Sequence, residues 1–115
     1  MPNKLSSRKC LPCEGIGQPL SDDDISDLLF QISGWQLVEE ADTRKIAKEF
    51  VFPDFKSAVD FVDKVAEVAE EEGHHPDICI FSYNRVKICL YTHKIKGLSE
   101  NDFILASKID DAVRQ

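Results

Sequence analysis

The sequence predicts an α+β fold: a four-stranded antiparallel sheet with three helices packed on one face, in the order α-β-β-α-β-β-α. Three observations predict it. Three stretches repeat apolar residues at helical spacing, each opening on a capping residue. Four shorter stretches rich in β-branched and aromatic residues fall in two pairs, each pair joined by a few polar residues. Such close pairs form hairpins, and hairpins give antiparallel pairing with the helices segregated to one side. That arrangement leaves strand edges and the second sheet face for self-association.

Residues 1–19 contain Pro2, Pro12, Gly15, Gly17 and Pro19, which break any regular pattern, so they read as an irregular arm before a single domain over 20–115. Ser21 caps the first helix, with Asp24 three residues on and Leu20 and Ile25 placed as a hydrophobic staple. Ile25, Leu28, Leu29 and Ile32 form its buried stripe, and Gly34 ends it. Strands are expected at residues 35–39 and 45–52, around Ala41-Asp42-Thr43, with Trp35 as a core or interface anchor. In the second strand Ile46, Lys48, Phe50 and Phe52 share one face, and Ala47, Glu49 and Val51 the other.

Pro53-Asp54 opens the second helix. Phe55, Ala58, Val59, Val62, Val65, Ala66 and Ala69 make its stripe, widened by Phe61 and Val68, so it is expected to be the central helix. Gly73 suits the left-handed position that closes it. A second strand pair is expected at 77–83 and 86–93, around Asn84-Arg85; Lys87, Cys89, Tyr91 and His93 would share a face polar enough to line a cleft. Ser99 caps the last helix with Asp102 at its third position, and Leu105, Ala106, Ile109 and Val113 continue inward.

At 115 residues, with 43% hydrophobic and 30% charged content, the chain is one ordinary globular domain. A net charge of -7 disfavours direct nucleic-acid binding. No apolar run approaches the roughly 18 residues of a membrane span. The basic start (Lys4, Arg8, Lys9) lacks the apolar core of a secretory signal, so a cytoplasmic location is expected, with a trimmed organellar precursor as the alternative. Cys10, Cys13, Cys79 and Cys89 read as reduced thiols, the first two on a poorly packed arm; redox or zinc use of Cys10-x-x-Cys13 lacks the context it needs.

All 3 histidines, His74, His75 and His93, fall within one short window. Glu70, Glu71 and Glu72 precede it at the end of the second helix, where the helix dipole favours cations. A cationic imidazole at His74 or His75 would relieve that conflict, which marks the window as functional. Pro76 holds His75 extended, so His74 and His75 point to opposite sides. Asp102 can reach the same rim and orient an imidazole. Three readings follow: acid-base catalysis by paired histidines, a metal site made by His74 or His75 with His93 and an acidic ligand, or hydrogen-bonded structural histidines with Asp102 as a cap only. No nucleophile with a partnered base stands out.

Taken together, Glu70-x3-His74-His75-Pro76 and Tyr83-x9-His93-x8-Asp102 resemble the signature of pterin-4a-carbinolamine dehydratases. Gly34-Trp35 and the run from Gly97 through Asp102 to Ile109 resemble the same family, so the likeness spans roughly residues 20 to 113. One residue more than usual separates Pro76 from Tyr83, Ile78 stands where many members have an aromatic, and Asn101 where some have Arg. The resemblance implies loss of water from 4a-hydroxytetrahydropterin, without a metal or organic cofactor, in a homodimer or homotetramer. It implies His74 and His93 as the acid-base groups, His75 positioning the ring, and Glu70 and Asp102 orienting imidazoles. Glu70, Gly73, His74, His75, Pro76, Tyr91, Thr92, His93 and Lys94 would contact the pterin. The alternative is a non-catalytic oligomerisation or protein-binding module on the same fold.

Overall fold

The structure is a computed structural model that describes Cys10 and residues 18–113. Its elements run α1 (Asp22–Phe30), β1 (Gln36–Glu40), β2 (Thr43–Val51), α2 (Phe55–Glu72), β3 (Asp77–Phe81), β4 (Arg85–Leu90), a 3-10 turn (His93–Ile95) and α3 (Glu100–Val113). The expected α+β order is therefore present. The four strands form one antiparallel sheet in the order β1-β2-β4-β3.

Alternation fixes which face is covered. Ile46, Phe50, Val86, Ile88 and Leu90 are buried, whereas Glu49, Asp77, Cys79, Arg85 and Lys87, which point the other way, are exposed. The helices thus cover one face, and no described residue covers the other. Both tight turns use left-handed backbone. Ala41 and Asp42 join β1 to β2 with φ of 51° and 64°, and Ser82 and Tyr83 lie between β3 and β4 with φ of 48° and 56°. The β3–β4 turn falls earlier than Asn84-Arg85, because Arg85 already pairs with Phe81 in the ladder. The ladder from Asp77 to Phe81 is unbroken, with no bulge in the strand.

The helix expected to be central, α2, packs against α3, β3 and β4, but α3 is the more enclosed. α3 packs against both α1 and α2 and is buried nearly all round, from Asn101 and Asp102 through Phe103, Ile104, Leu105 and Ala106 to Ile109. Periodicity hides this, since a helix enclosed on all sides has no polar face to contrast with its stripe. Val113, expected inside, is 38% exposed at its end. The buried residues of α2 are Ala58, Phe61, Val65 and Ala69; Phe55 and Ala66 are exposed, so its inward face is rotated toward Phe61. Phe61 lies 4.8 Å from Phe50 and 5.0 Å from Phe52 between ring centroids, and this aromatic contact sets the rotation.

Trp35 is the core anchor expected of it. Its indole N–H donates to Asp110 Oδ2 at 3.0 Å, and Asp110 Oδ1 accepts from Lys48 Nζ at 2.8 Å. Lys48 reaches Asp110 because it shares the inward face of β2 with Ile46 and Phe50. Of the arm, only Cys10 and residues 18–19 lie within the described residues. Cys10 is not loosely placed: it is half-buried and packs against the core. Cys13 lies outside the described residues.

Candidate active site

The histidine window is the exit from α2. Asp54 caps the helix start by accepting the Ser57 N–H at 2.8 Å, and Gly73 ends it with φ of 67° and ψ of 27°. This left-handed residue swings the next one inward: His74 is 4% exposed, while His75 stays at the surface. The two imidazoles point apart, as extended neighbours before a proline should.

Each finds a carboxylate. His74 Nε2 lies 2.6 Å from Asp102 Oδ1, and His75 Nε2 lies 2.6 Å from Glu70 Oε2. A carboxylate oxygen only accepts, so both histidines donate through Nε2. Asp102 has no exposed surface, and its Oδ2 accepts from Thr92 Oγ1 and from the Ser99 N–H, both at 2.9 Å. Thr92 gives its one hydroxyl proton to Asp102. The 2.7 Å contact between Thr92 Oγ1 and Ser99 Oγ is therefore donated by Ser99. Capping α3 and orienting an imidazole were separate expectations for Asp102; the structure joins them in one carboxylate. Ser99 does not cap α3 with its own hydroxyl, which is turned to Thr92. Nε2 is thus the nitrogen through which the His74 ring is fixed.

The acidic helix end is resolved residue by residue. Glu70 takes His75, and Glu72 takes the Cys10 peptide N–H at 2.7 Å and Lys108 Nζ at 3.4 Å. Glu71 is exposed.

His93 is not on β4, which ends at Leu90, but opens the 3-10 turn beyond it. The strand stops because Thr92 pairs with Gly97 in an isolated bridge that closes a tight loop. His93 is exposed, with its ring centroid 4.2 Å from that of Tyr91; Lys45 Nζ sits 4.6 Å from the Tyr91 centroid. Of the residues expected to touch a ligand, Gly73, His75, His93 and Lys94 are exposed, and Pro76 and Tyr91 are partly buried. Thr92 is enclosed, with its hydroxyl committed to Asp102 and Ser99, so it supports the site from behind.

Sequence reasoning passed over Ser99 as a partner of Thr92 and Glu72 as an anchor for Cys10. The capping pattern at Ser99 was a signal for the first; contacts across 62 residues leave none for the second. Among the described residues no three histidine, cysteine or acidic side chains come together in a way that could hold a metal ion. No described helix is long and apolar enough to cross a membrane.

A buried His74–Asp102 pair between the end of α2 and the start of α3, on an antiparallel sheet backed by three helices, defines an α+β domain with an imidazole–carboxylate site. A sequence model of one family, described as pterin 4 alpha carbinolamine dehydratase, matches residues 18–112. The chain belongs to that family. A protein of Rubrobacter xylanophilus bearing the family's name is 44% identical over 108 residues, 94% of this chain and 97% of its own. Pterin-4-alpha-carbinolamine dehydratase 2, mitochondrial, of Arabidopsis thaliana is 43% identical over 93% of this chain, which matches 58% of that longer protein. Among solved structures, a transcriptional coactivator/pterin dehydratase from Brucella melitensis superposes with a TM-score of 0.74 at 32% identity, over 83% of this chain and 98% of that one. A pterin dehydratase-like protein described as a RuBisCO assembly factor in the alpha-carboxysome gives 0.58 at 26% identity, over 69% of this chain and 88% of that one.

Proposed function

We propose that this protein removes water from a 4a-hydroxytetrahydropterin to give the quinonoid dihydropterin. The observation that carries the reading is the buried His74–Asp102 pair, with Nε2 held at 2.6 Å; His75 and His93 are exposed. In the reaction the C4a hydroxyl takes a proton and leaves as water. N5 loses its proton, and the electrons of the N5–H bond become the C4a=N5 double bond. Two groups that exchange protons near neutral pH suit this task. His74, oriented through Nε2, would use its Nδ1, and His93 is the second group. His75, held by Glu70, positions the ring, with Gly73, Pro76, Tyr91 and Lys94 around it and Thr92 behind Asp102. No metal or organic cofactor takes part in this reading.

The test is acceleration of 4a-hydroxypterin dehydration by the purified protein across pH 5 to 9, repeated with His74→Ala and His93→Ala. Each variant should lose about a hundredfold in kcat with the fold retained. No acceleration by the wild type, or equal rates in the variants, would sink the reading, and a flat pH profile would count against histidine acid-base work. The protein is further proposed to act as a homodimer or homotetramer, which the uncovered sheet face and the unpaired edges of β1 and β3 support; sedimentation at a single monomer mass would refute it. A second reading, a non-catalytic assembly or binding module, draws on the relative described as a RuBisCO assembly factor. It predicts an inactive wild type.

A further inference from the structure

Glu72 is the last residue of α2, and its side chain is only 3% exposed. A carboxylate buried at the negative end of a helix dipole is unfavourable unless it is held. It is held on both oxygens. Oε1 accepts the peptide N–H of Cys10 at 2.7 Å, and Oε2 meets Lys108 Nζ, on α3, at 3.4 Å. The Cys10 thiol lies 3.6 Å from the carbonyl oxygen of Asn101, the residue before Asp102. One arm residue thus touches the segment two positions before His74 and the segment one position before Asp102.

The chain ahead of α1 is attached a second time. Leu20 donates its N–H to the Leu98 carbonyl at 2.9 Å, and Pro19 packs so tightly on Gly97 that a Cβ there would lie 3.0 Å from the proline ring. Gly97 in turn accepts the Thr92 N–H at 2.8 Å. Both attachments bear on the segments that hold His74, Thr92, Ser99 and Asp102. The match to the Rubrobacter protein covers 94% of the chain, so it reaches into the arm ahead of residue 18, where the family model begins.

We infer that Cys10 and Pro19–Leu20 are working parts of the site: held by Glu72 at Cys10 and by Gly97–Leu98 at Pro19–Leu20, they brace the His74–Asp102 pair, and Glu72 is a positioning residue. The brace rests on the dehydratase reading for its effect on rate but not for its existence. The essential bond is to a peptide N–H, so proline and alanine at position 10 separate the peptide from the thiol. Cys10→Pro removes the donor; Cys10→Ala keeps it.

The experiment measures dehydration kcat and KM in the full chain, together with solvent exchange of the His74–Asp102 proton by NMR. Cys10→Pro and Glu72→Ala should each lower kcat about tenfold, the scale seen when groups supporting an active imidazole are removed, with KM little changed and proton exchange faster. Cys10→Ala and Glu72→Gln should recover most of that loss, since the N–H and an acceptor oxygen remain. The Cys10→Pro/Glu72→Ala double variant should lose no more than either alone. Additive losses, or unchanged kcat and exchange in both single variants, would overturn the brace. Should Glu72→Ala unfold the chain, Cys10→Pro decides, because Cys10 lies outside every helix and strand. An inactive wild type refutes the dehydratase reading alone, and the proton exchange then still decides the brace.

Discussion

Replacing Asp102 by Asn tests the site at its most constrained atom. Asp102 has no exposed surface and three partners: His74 Nε2 at 2.6 Å on one oxygen, Thr92 Oγ1 and the Ser99 N–H at 2.9 Å on the other. Asn has the same shape but only one acceptor oxygen. If that oxygen keeps Thr92 and Ser99, the amide NH2 faces His74 Nε2, which must then accept. The imidazole is forced into the opposite tautomer, with its proton on Nδ1. Hydrogen bonds to a charged group are worth about 1.5–3 kcal/mol and neutral ones about 0.5–1.5. Allowing for the desolvation relieved when a buried charge is removed, the net loss is about 1–2 kcal/mol. In a domain of this size that lowers Tm by about 4–15 °C. Asp102→Ala instead strands three donors, and its loss should reach about 3–5 kcal/mol. Catalysis should respond in the reverse proportion to stability. Asp102→Asn should cost about a hundredfold or more in kcat through the wrong tautomer, despite its mild effect on folding. The assays are thermal unfolding, steady-state dehydration, and nitrogen NMR of the His74 ring. An Asn variant with an unchanged tautomer and near-native kcat would refute the assignment of Asp102 as the residue that orients His74. So would a Tm loss no smaller than that of the Ala variant.

Other expectations follow from single features. Gly73→Ala meets no atom within 4 Å, so its cost is backbone strain alone at φ of 67°, about 1 kcal/mol by urea unfolding, and Gly73→Asn should recover much of it. Asp110→Ala removes the acceptor shared by Lys48 and Trp35 and should cost about 2–4 kcal/mol. Trp35 is the only tryptophan, so its native emission should shift to longer wavelength. Burial, reinforced by the Glu72 carboxylate, pushes the Cys10 thiol up to about 12. Exposed Cys79 should therefore be alkylated well before Cys10 in the native protein. The folded-state value lies above the ordinary 9.0, so the neutral Cys10 thiol contributes fully below about pH 9 and its contribution is lost as pH rises toward 12. Cys10→Ala should weaken the dependence of Tm on pH across that window.

The hairpins, the caps at Ser21 and Asp54, and the left-handed Gly73 were legible in the sequence because each is a local choice between neighbouring residues. The opposite directions of His74 and His75 were legible for the same reason. The depth of α3 was not: with residues such as Asn101 and Asp102 inside, it lacks the contrast between faces that periodicity detects. The end of β4 was missed because alternation runs on past Leu90, while the Thr92–Gly97 bridge that stops the strand depends on a loop folding back. The pairing of His74 with Asp102 was visible only as two residues able to reach one rim; their separation of 28 positions is closed by packing of α2 on α3. The placement of Cys10 left no local trace at all.

The exposure of His75 and His93 has an evolutionary consequence. Their partners are a surface carboxylate, Glu70, and the Tyr91 ring, so losing either histidine changes stability by no more than about 0.5 kcal/mol. His74 and Asp102 are different, since both sit inside the architecture. A lineage on this fold can therefore shed its outer imidazoles by drift while selection for a folded chain still preserves the inner pair. Retention of the inner pair then serves the fold as well as the chemistry. The exposed histidines, which folding does not need, are the residues whose presence in a sequence speaks for activity.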